Sequence, residues 1–399
     1  MLNHFETLCN LCAVSGDEQA VRSYLISVLE KRHDVTWTID PLGSLLVEKR
    51  GQNRAPHKLM VSAHMDEVGM IVTHVNSDGT LCIQPVGGVD ASVAIGRQVL
   101  VGEKHLPGVV GAKPIHLLSP EERKALPKWS GLVLDIGADN AEQARAAAPE
   151  GTYAYFAPDF VRMGKDRICS KAIDDRAGCA ILLHLLEQDA PYDFTAAFLV
   201  QEEVGLRGAK AAAYTVDPDF ALVLEATTAA DIAGAEEDAK VCCLGGGPVV
   251  SFMDRSTIYD KELYRMAFSL AEKNGISCQT KSRIAGGNDS GAIHVSRGGV
   301  RTCALSVPCR YLHSPACVIN ETDYTATAKL AEAVLKIQAL FNAYGGSYEF
   351  CRFFRQGSTY LACLDGSFVI CEDPGCDWEE LAGFLTEKCH LPMEQIAVR

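Results

Sequence analysis

Residues 171–225 read KAIDDRAGCA ILLHLLEQDA PYDFTAAFLV QEEVGLRGAK AAAYTVDPDF ALVLE. The texture alternates within this stretch. Helical spacing over 176–187 gives way to an apolar run over 193–201, then to an alanine-rich segment over 205–214 and a second apolar run over 220–225. Helix and strand in alternation, with nearly continuous apolar strands, predict an α/β domain built on a largely parallel sheet with helices on both faces. The same stretch places carboxylates where apolar strands end: Glu202 and Glu203 after the first, Glu225 at the close of the second.

Working outward, the alternation continues toward the C-terminus with helix 261–274, strand 276–280, helix 290–296, strand 301–308 and helix 323–343. Upstream, Phe5, Leu8, Cys9 and Cys12, then Val21, Tyr24, Leu25 and Val28, recur at helical spacing. Ser15 is placed to cap the second of these helices. Strands follow at 35–39, 44–48 and 58–64. Between 70 and 163 the pattern changes to short β runs (70–75, 81–85, 98–101, 109–111, 131–136) separated by Gly, Pro and Asp, the signature of a small β-barrel or sandwich. The expected organisation is therefore a discontinuous α/β domain (1–69 and 164–344) with a β insertion at 70–163. A C-terminal αβ extension (345–399) of unknown role follows, with strands at 360–363 and 367–371 and a helix at 378–388.

The 399 residues suffice for a large core and a second module, and 48% hydrophobic with 22% charged residues is an ordinary globular balance. The net charge of −14, with no cluster of Lys and Arg, argues against a nucleic-acid or anionic-membrane surface. No signal-peptide pattern and no run of eighteen apolar residues is found. The 16 cysteines are scattered, mostly in apolar segments, so reduced thiols in a cytoplasmic protein are expected. Cys9-x-x-Cys12 has redox spacing but sits on an apolar helical face, where core packing is the better reading. Cys371, Cys376, Cys389 and His390 match no standard zinc spacing.

Five segments put metal-type ligands at strand ends or in adjoining loops, where open α/β sheets bind ligands. In Leu59-Met-Val-Ser-Ala-His64-Met-Asp66, the histidine and aspartate are two apart and face the same way, so Asp66 is placed to steer the His64 ring. Asp174 precedes a helix that Asp175 can cap. Glu202 and Glu203 face opposite sides of an extended chain, which suits one ligand and one general base. Glu225 closes a strand, and His313 lies in a loop after one. Two histidines and three carboxylates, with a spare glutamate and no thiolate, suit Zn²⁺, Co²⁺ or Mn²⁺ in a water-activating role.

The strings SAHMDEVGM (62–70), KAIDDRAG (171–178), QEEVGLRGA (201–209), GGNDSGAIH (286–294) and CRYLHSP (309–315), with the opening AVSGDEQAVRSYL, resemble the tetrahedral aminopeptidases, which include glutamyl and deblocking aminopeptidases. The resemblance covers roughly residues 1–340. It implies an aminopeptidase-type α/β domain with a mixed, largely parallel sheet, an inserted PDZ-like β domain at 70–163 that makes the dimer contacts, peptide substrates, two divalent metal ions per subunit and a homododecamer built from dimers. It also implies metal binding by His64, Glu203, Glu225 and His313, a bridging Asp174, Glu202 as general base and Asp66 as support for His64. Two departures stand out. Glu225 occupies a position where the family has Asp, and Ala316-Cys317 follows His-Ser-Pro where the family carries a nearby Glu. A glycosidase using Glu202 and Glu203 is disfavoured, because neighbours on a strand point apart and cannot flank one bond. A non-catalytic metal-stabilised peptide binder is disfavoured by the filled ligand positions.

Overall fold

The apolar runs become the centre of one large mixed sheet. The structure, a computed structural model, describes residues 1–54 and 57–344 and, beyond these, strand segments over 351–356, 359–364, 367–372 and 396–398. In chain order the strands are β1 (Val35–Ile39), β2 (Leu45–Lys49) and β3 (Leu59–His64). The barrel strands come next: β4 (Gly69–Val75), β5 (Leu81–Val86), β6 (Gln98–Val101), β7 (Leu106–Ala112), β8 (Leu132–Asp135) and β9 (Tyr153–Phe156). Then follow β10 (Val161–Met163), β11 (Arg167–Ser170), β12 (Phe194–Leu199), β13 (Phe220–Thr228), β14 (Val249–Val250), β15 (Gln279–Thr280), β16 (Arg301–Arg310) and β17 (Cys317–Asn320). The main sheet runs β1-β2-β12-β3-β13-β16-β17-β11-β10, with β14 and β15 attached beside β16.

The centre, β12-β3-β13-β16, is a parallel block, and the short pair β14–β15 is also parallel. The pairs β1–β2, β2–β12, β16–β17, β17–β11, β11–β10 and β14–β16 are antiparallel. The sheet is mixed, as expected, but antiparallel pairs outnumber parallel ones six to four, so it is parallel at its centre rather than largely parallel. A parallel pair needs a long crossover, and such crossovers exist between the central strands. A tight turn such as that between Ile39 and Leu45 closes only an antiparallel hairpin.

Side chains alternate across the central strands and sort into two cores. Leu59, Val61 and Ala63 of β3, Ala196 and Phe198 of β12, Leu222 and Leu224 of β13, and Cys303 and Leu305 of β16 pack on one face. There they meet the helices Leu2–Asn10, Gln19–Leu29, Ile173–Glu187, Lys261–Lys273 and Glu321–Tyr344. Met60, Ala197, Leu199, Ala221, Val223 and Ala304 pack on the other, under the helix Arg207–Val216 and the short helix Ser290–Ile293. Strands buried on both faces explain why the apolar runs are continuous rather than alternating.

Strands β4 to β9 close into a six-stranded barrel, β4-β5-β8-β7-β6-β9, around Met70, Val72, Leu81, Ile83, Val99, Val110 and Leu134. The C-terminal strand segments form a separate four-stranded sheet. Two of its strands, Thr359–Leu364 and Ser367–Glu372, overlap those expected. The expected helix at 378–388 and the side chains of Cys371, Cys376, Cys389 and His390 lie outside the described residues. Among the described residues, no helix is long and apolar enough to cross a membrane.

One local expectation fails. The second N-terminal helix starts at Gln19 without a side-chain cap. Ser15 is buried and donates instead to Asp66 Oδ2 at 2.6 Å. A buried carboxylate must be satisfied, and Ser15 is one of its donors.

Candidate active site

Parallel registry brings the ligand-bearing strand ends to one level. Leu199 pairs with His64 across β12 and β3, and Ser62 with Val223 across β3 and β13, so His64 and Glu225 end up side by side two residues on. His64 Nε2 lies 3.2 Å from Asp174 Oδ1 and 3.6 Å from Glu225 Oε1. His313 Nε2 lies 3.5 Å from Asp174 Oδ2 and 3.3 Å from Glu203 Oε2. The ligand atoms therefore fall into two groups, His64–Asp174–Glu225 and Asp174–Glu203–His313, which share Asp174; within each, all ligand atoms lie within 4.8 Å of one another. A third group, His64–Glu202–Glu203, meets the same criterion.

Local structure aims each of these side chains. Asp174 and Asp175 depart from helical dihedrals, and the peptide between them is cis. The regular helix starts after them, with Asp175 Oδ1 accepting from the Gly178 N–H at 2.8 Å, the cap expected of it. A Cβ at position 178 would come within 2.3 Å of that carboxylate, so glycine is required. His313 Nδ1 sits 3.2 Å from the carbonyl of Gly88, which follows β5 of the barrel, so the barrel borders the site. Ala172, Gln201, Leu206, Tyr311 and His313 are all non-glycine residues with φ between 54° and 60°. Backbone held in this sparsely populated region clusters at functional sites.

Asp66 does more than orient His64. It is wholly buried, 3.4 Å from His64 Nδ1, and accepts the backbone N–H groups of Glu202 at 3.0 Å and Glu203 at 3.1 Å. Glu18 accepts from the Gln201 N–H at 3.1 Å. Neither Glu18 nor the Ser15–Asp66 bond was legible in the sequence, because nothing local distinguishes a bracing acid from a helix-starting one. Below the site, Glu67 is buried with Lys171 at 2.7 and 2.8 Å and Arg176 at 3.4 Å. Those cations also bond the carbonyls of Leu11 and Leu8 at 2.7 and 2.6 Å, tying the N-terminal segment to both ligand loops. Arg310 pairs with Asp231 at 2.7 Å. At the departure Ala316-Cys317, the Cys317 thiol lies 3.4 and 3.3 Å from the carbonyls of Tyr311 and Ser314, either of which can accept its single S–H within the His313 loop.

Burial raises the Glu202 carboxyl to about 7, with Asp174 and Asp66 adding to the shift. Burial also pushes Glu203 and Glu225 well above the usual carboxylate range, reinforced in both by Asp174. For His313, the lowering by burial is outweighed by Asp174 and Glu203, and the imidazole rises to about 10. So many buried acids around two imidazoles are costly unless cations share the site, and the oxygen and nitrogen donors fit divalent metal ions. By contrast, Cys9 and Cys12 are core thiols that burial raises to about 12 and about 11. They match the packing reading.

The site opens into a cavity of about 600 Å³. The M42 glutamyl aminopeptidase family model matches residues 43–330. The chain belongs to this family. It is 33% identical to the lysyl aminopeptidase of Pyrococcus furiosus over 81% of this chain and 93% of that one. It is 30% identical to the glutamyl aminopeptidase of Lactococcus lactis subsp. cremoris, over 84% and 96%. Among solved structures it is similar to the Pyrococcus horikoshii TET1 peptidase, described as assembling into a tetrahedron or a large octahedral shell (TM-score 0.74, 33% identity, 84% and 98% coverage). This M42 chain is thus an aminopeptidase, a hydrolase of peptide bonds, with a His/carboxylate site able to hold metal.

Proposed function

We propose that the enzyme is a dinuclear metal-dependent aminopeptidase that removes N-terminal residues from peptides, with Glu202 as its general base. The observation that carries this reading is the pair of ligand groups sharing Asp174. His64 and Glu225 would hold one ion, Glu203 and His313 the other, and Asp174 would bridge. Zn²⁺ or Co²⁺ is the expected metal, and Mn²⁺ suits the same donors. Such ions, when bound, supply water activation and carbonyl polarisation. Glu202 accepts the proton of the attacking water and returns it to the leaving amine. Asp66 fixes the Glu202–Glu203 backbone, so base and ligand keep separate directions.

The catalytic unit in this reading is 1–69 with 164–344, and the barrel within 70–163 is a PDZ-like module through which subunits pair. Exposed Ile115, Leu117 and Leu126 in the barrel segment support a covered surface, and the P. horikoshii relative's assembly supports a homododecamer built from dimers. Free thiols at the described cysteines are consistent with a cytoplasmic setting. Glu202→Gln should keep its metal while kcat falls at least about a hundredfold, whereas Glu203→Gln should lose metal by elemental analysis. The opposite pattern reverses the base and ligand assignments.

A further inference from the structure

The string GGNDSGAIH (286–294) supplies none of the ligands assigned above, yet its Asn288 lines the cavity together with Asp174, Glu202, Glu203 and Glu225. Around those carboxylates the wall offers acceptors, whereas a carbonyl oxygen gaining negative charge there needs donors. Lys281 also lines the cavity, but it follows β15, three inter-strand steps of about 4.8 Å from β13, so its backbone stands roughly 14 Å from the Glu225 strand. Asn288 instead adjoins the base. A Cβ at Gly291 would come within 2.5 Å of Ser256 Oγ and 3.2 Å of Leu206 Cδ1, so the 286–291 loop is wedged between the Ser256 loop and the turn that follows Glu202. In that turn the N–H groups of Gly205 and Leu206 both bond the Glu202 carbonyl, at 2.9 and 3.0 Å. Burial raises the Asp289 carboxyl well above the usual range, and Glu202 adds most among the surrounding charges, as expected of a segment running beside the base.

Asn288 is 4% exposed and held at one end only. Its Oδ1 accepts the Ser290 N–H at 2.9 Å, and that donor fixes which end of the amide is oxygen. Tyr259 Oη lies 3.2 Å from the same Oδ1 and 2.6 Å from Asp254 Oδ2, so its single proton can serve either. Asp254 is buried and accepts the N–H groups of Ser256 and Thr257, both at 2.8 Å. This buried polar chain leaves one group unspent. Among the described residues, nothing accepts from Asn288 Nδ2. An amide donor held nearly out of water is costly unless a ligand uses it. Because its oxygen is anchored the amide cannot turn, and a fixed donor stabilises developing charge without reorganising at the moment of reaction.

We propose that Asn288 is a catalytic residue whose Nδ2–H donates to the oxygen of the scissile carbonyl, in a hydrogen bond that strengthens as that oxygen gains negative charge. Tyr259 and Asp254 act through it as positioning residues. The assignment rests on the aminopeptidase reading and deepens it.

The test uses leucyl-, lysyl- and glutamyl-p-nitroanilide with metal-loaded enzyme, taking whichever the parent hydrolyses fastest. Asn288→Ala should lower kcat about a hundredfold or more, the scale of removing one oxyanion donor, with KM within about threefold of the parent's. Asn288→Asp keeps an acceptor for the Ser290 N–H but puts oxygen in place of the donor, and should be no more active than Asn288→Ala. Tyr259→Phe keeps the amide and only loosens it, so its kcat should fall between parent and Asn288→Ala, again with little change in KM. Inhibition gives a second readout. The phosphonic acid analogue of the preferred amino acid, a tetrahedral anion, should bind Asn288→Ala at least about tenfold more weakly than it binds the parent. The corresponding decarboxylated amine, which lacks the oxygen altogether, should bind both alike. An unchanged kcat in a folded Asn288 variant, a loss expressed only in KM, equal weakening of phosphonic acid and amine, or loss of fold or metal in both Asn288 variants overturns the assignment and leaves the aminopeptidase reading standing. Hydrolysis of none of the three anilides by the metal-loaded parent overturns that reading and this inference with it.

Discussion

Replacing Glu67 with glutamine changes one atom type at the base of the site and should unsettle the whole N-terminal half. Glu67 is 2% exposed and accepts from the Ala13 N–H at 3.0 Å, from Lys171 at 2.7 and 2.8 Å, and from Arg176 at 3.4 Å. Lys171 and Arg176 are almost wholly buried, and among the described residues no other carboxylate pairs with either. Glutamine keeps the shape and one acceptor but leaves two buried cations without their anion. Removing one partner of a buried ion network costs about 3–5 kcal/mol, and the retained amide and backbone acceptors put Glu67→Gln near the lower end. Urea unfolding followed by far-UV circular dichroism should show this as a fall in midpoint at an unchanged slope. A double variant, Glu67→Leu with Lys171→Met, removes anion and one cation together and should recover more than half of the loss, because apolar replacement of a buried pair is often nearly neutral. A Glu67→Gln unfolding free energy within about 0.5 kcal/mol of the parent's, the range of ordinary surface substitutions, would refute the claim that this network balances the buried charge.

Other outcomes follow from the same geometry. Chelation should abolish peptidase activity and Zn²⁺, Co²⁺ or Mn²⁺ restore it, with two ions per chain by elemental analysis; fully active enzyme holding about one ion would sink the dinuclear reading. Glu225→Asp should weaken one ion and fail to improve the enzyme. An Asp is about 1.5 Å shorter, and the described backbone places the longer carboxylate beside His64; apo-protein titrations showing two undiminished sites in both Glu225→Asp and Glu225→Ala would remove Glu225 as a ligand. Hydrogen bonds from Arg32, with Lys49 also bonded, hold the Asp34 carboxyl at about 2. Its folded pKa lies below the unfolded value of about 3.9, so this pair stabilises the fold above that value and ceases to as pH falls through 2. The stability difference between parent and Asp34→Asn should therefore shrink between pH 4 and pH 2, and a difference constant with pH would contradict the pairing.

The elements that local pattern controls were legible in the sequence. Apolar runs closing on His64, Glu203 and Glu225 are intelligible locally, since a strand buried on both faces must be continuously apolar and a polar residue at its end must have a use. The β texture of 70–163 likewise comes from turn residues spaced along the chain. What the sequence alone left open depends on groups far apart in the chain. That most pairs of the mixed sheet are antiparallel follows from connection geometry, not from composition. Ser15 caps no helix, because the unsatisfied Asp66 carboxylate, 51 residues away, meets it in the folded core. Glu18, Glu67, Lys171 and Arg176 look like ordinary surface charges in sequence and are buried braces in the structure. Lys281 is the sharpest case: a lone lysine after a two-residue strand carries no signal of its own. Only the path Glu225–Ser306–Val249–Gln279 across the sheet brings it to the cavity that the ligand carboxylates also line. Backbone hydrogen bonding sets local form from neighbouring residues, whereas the pairing of buried charges is settled only when the chain closes and water is excluded.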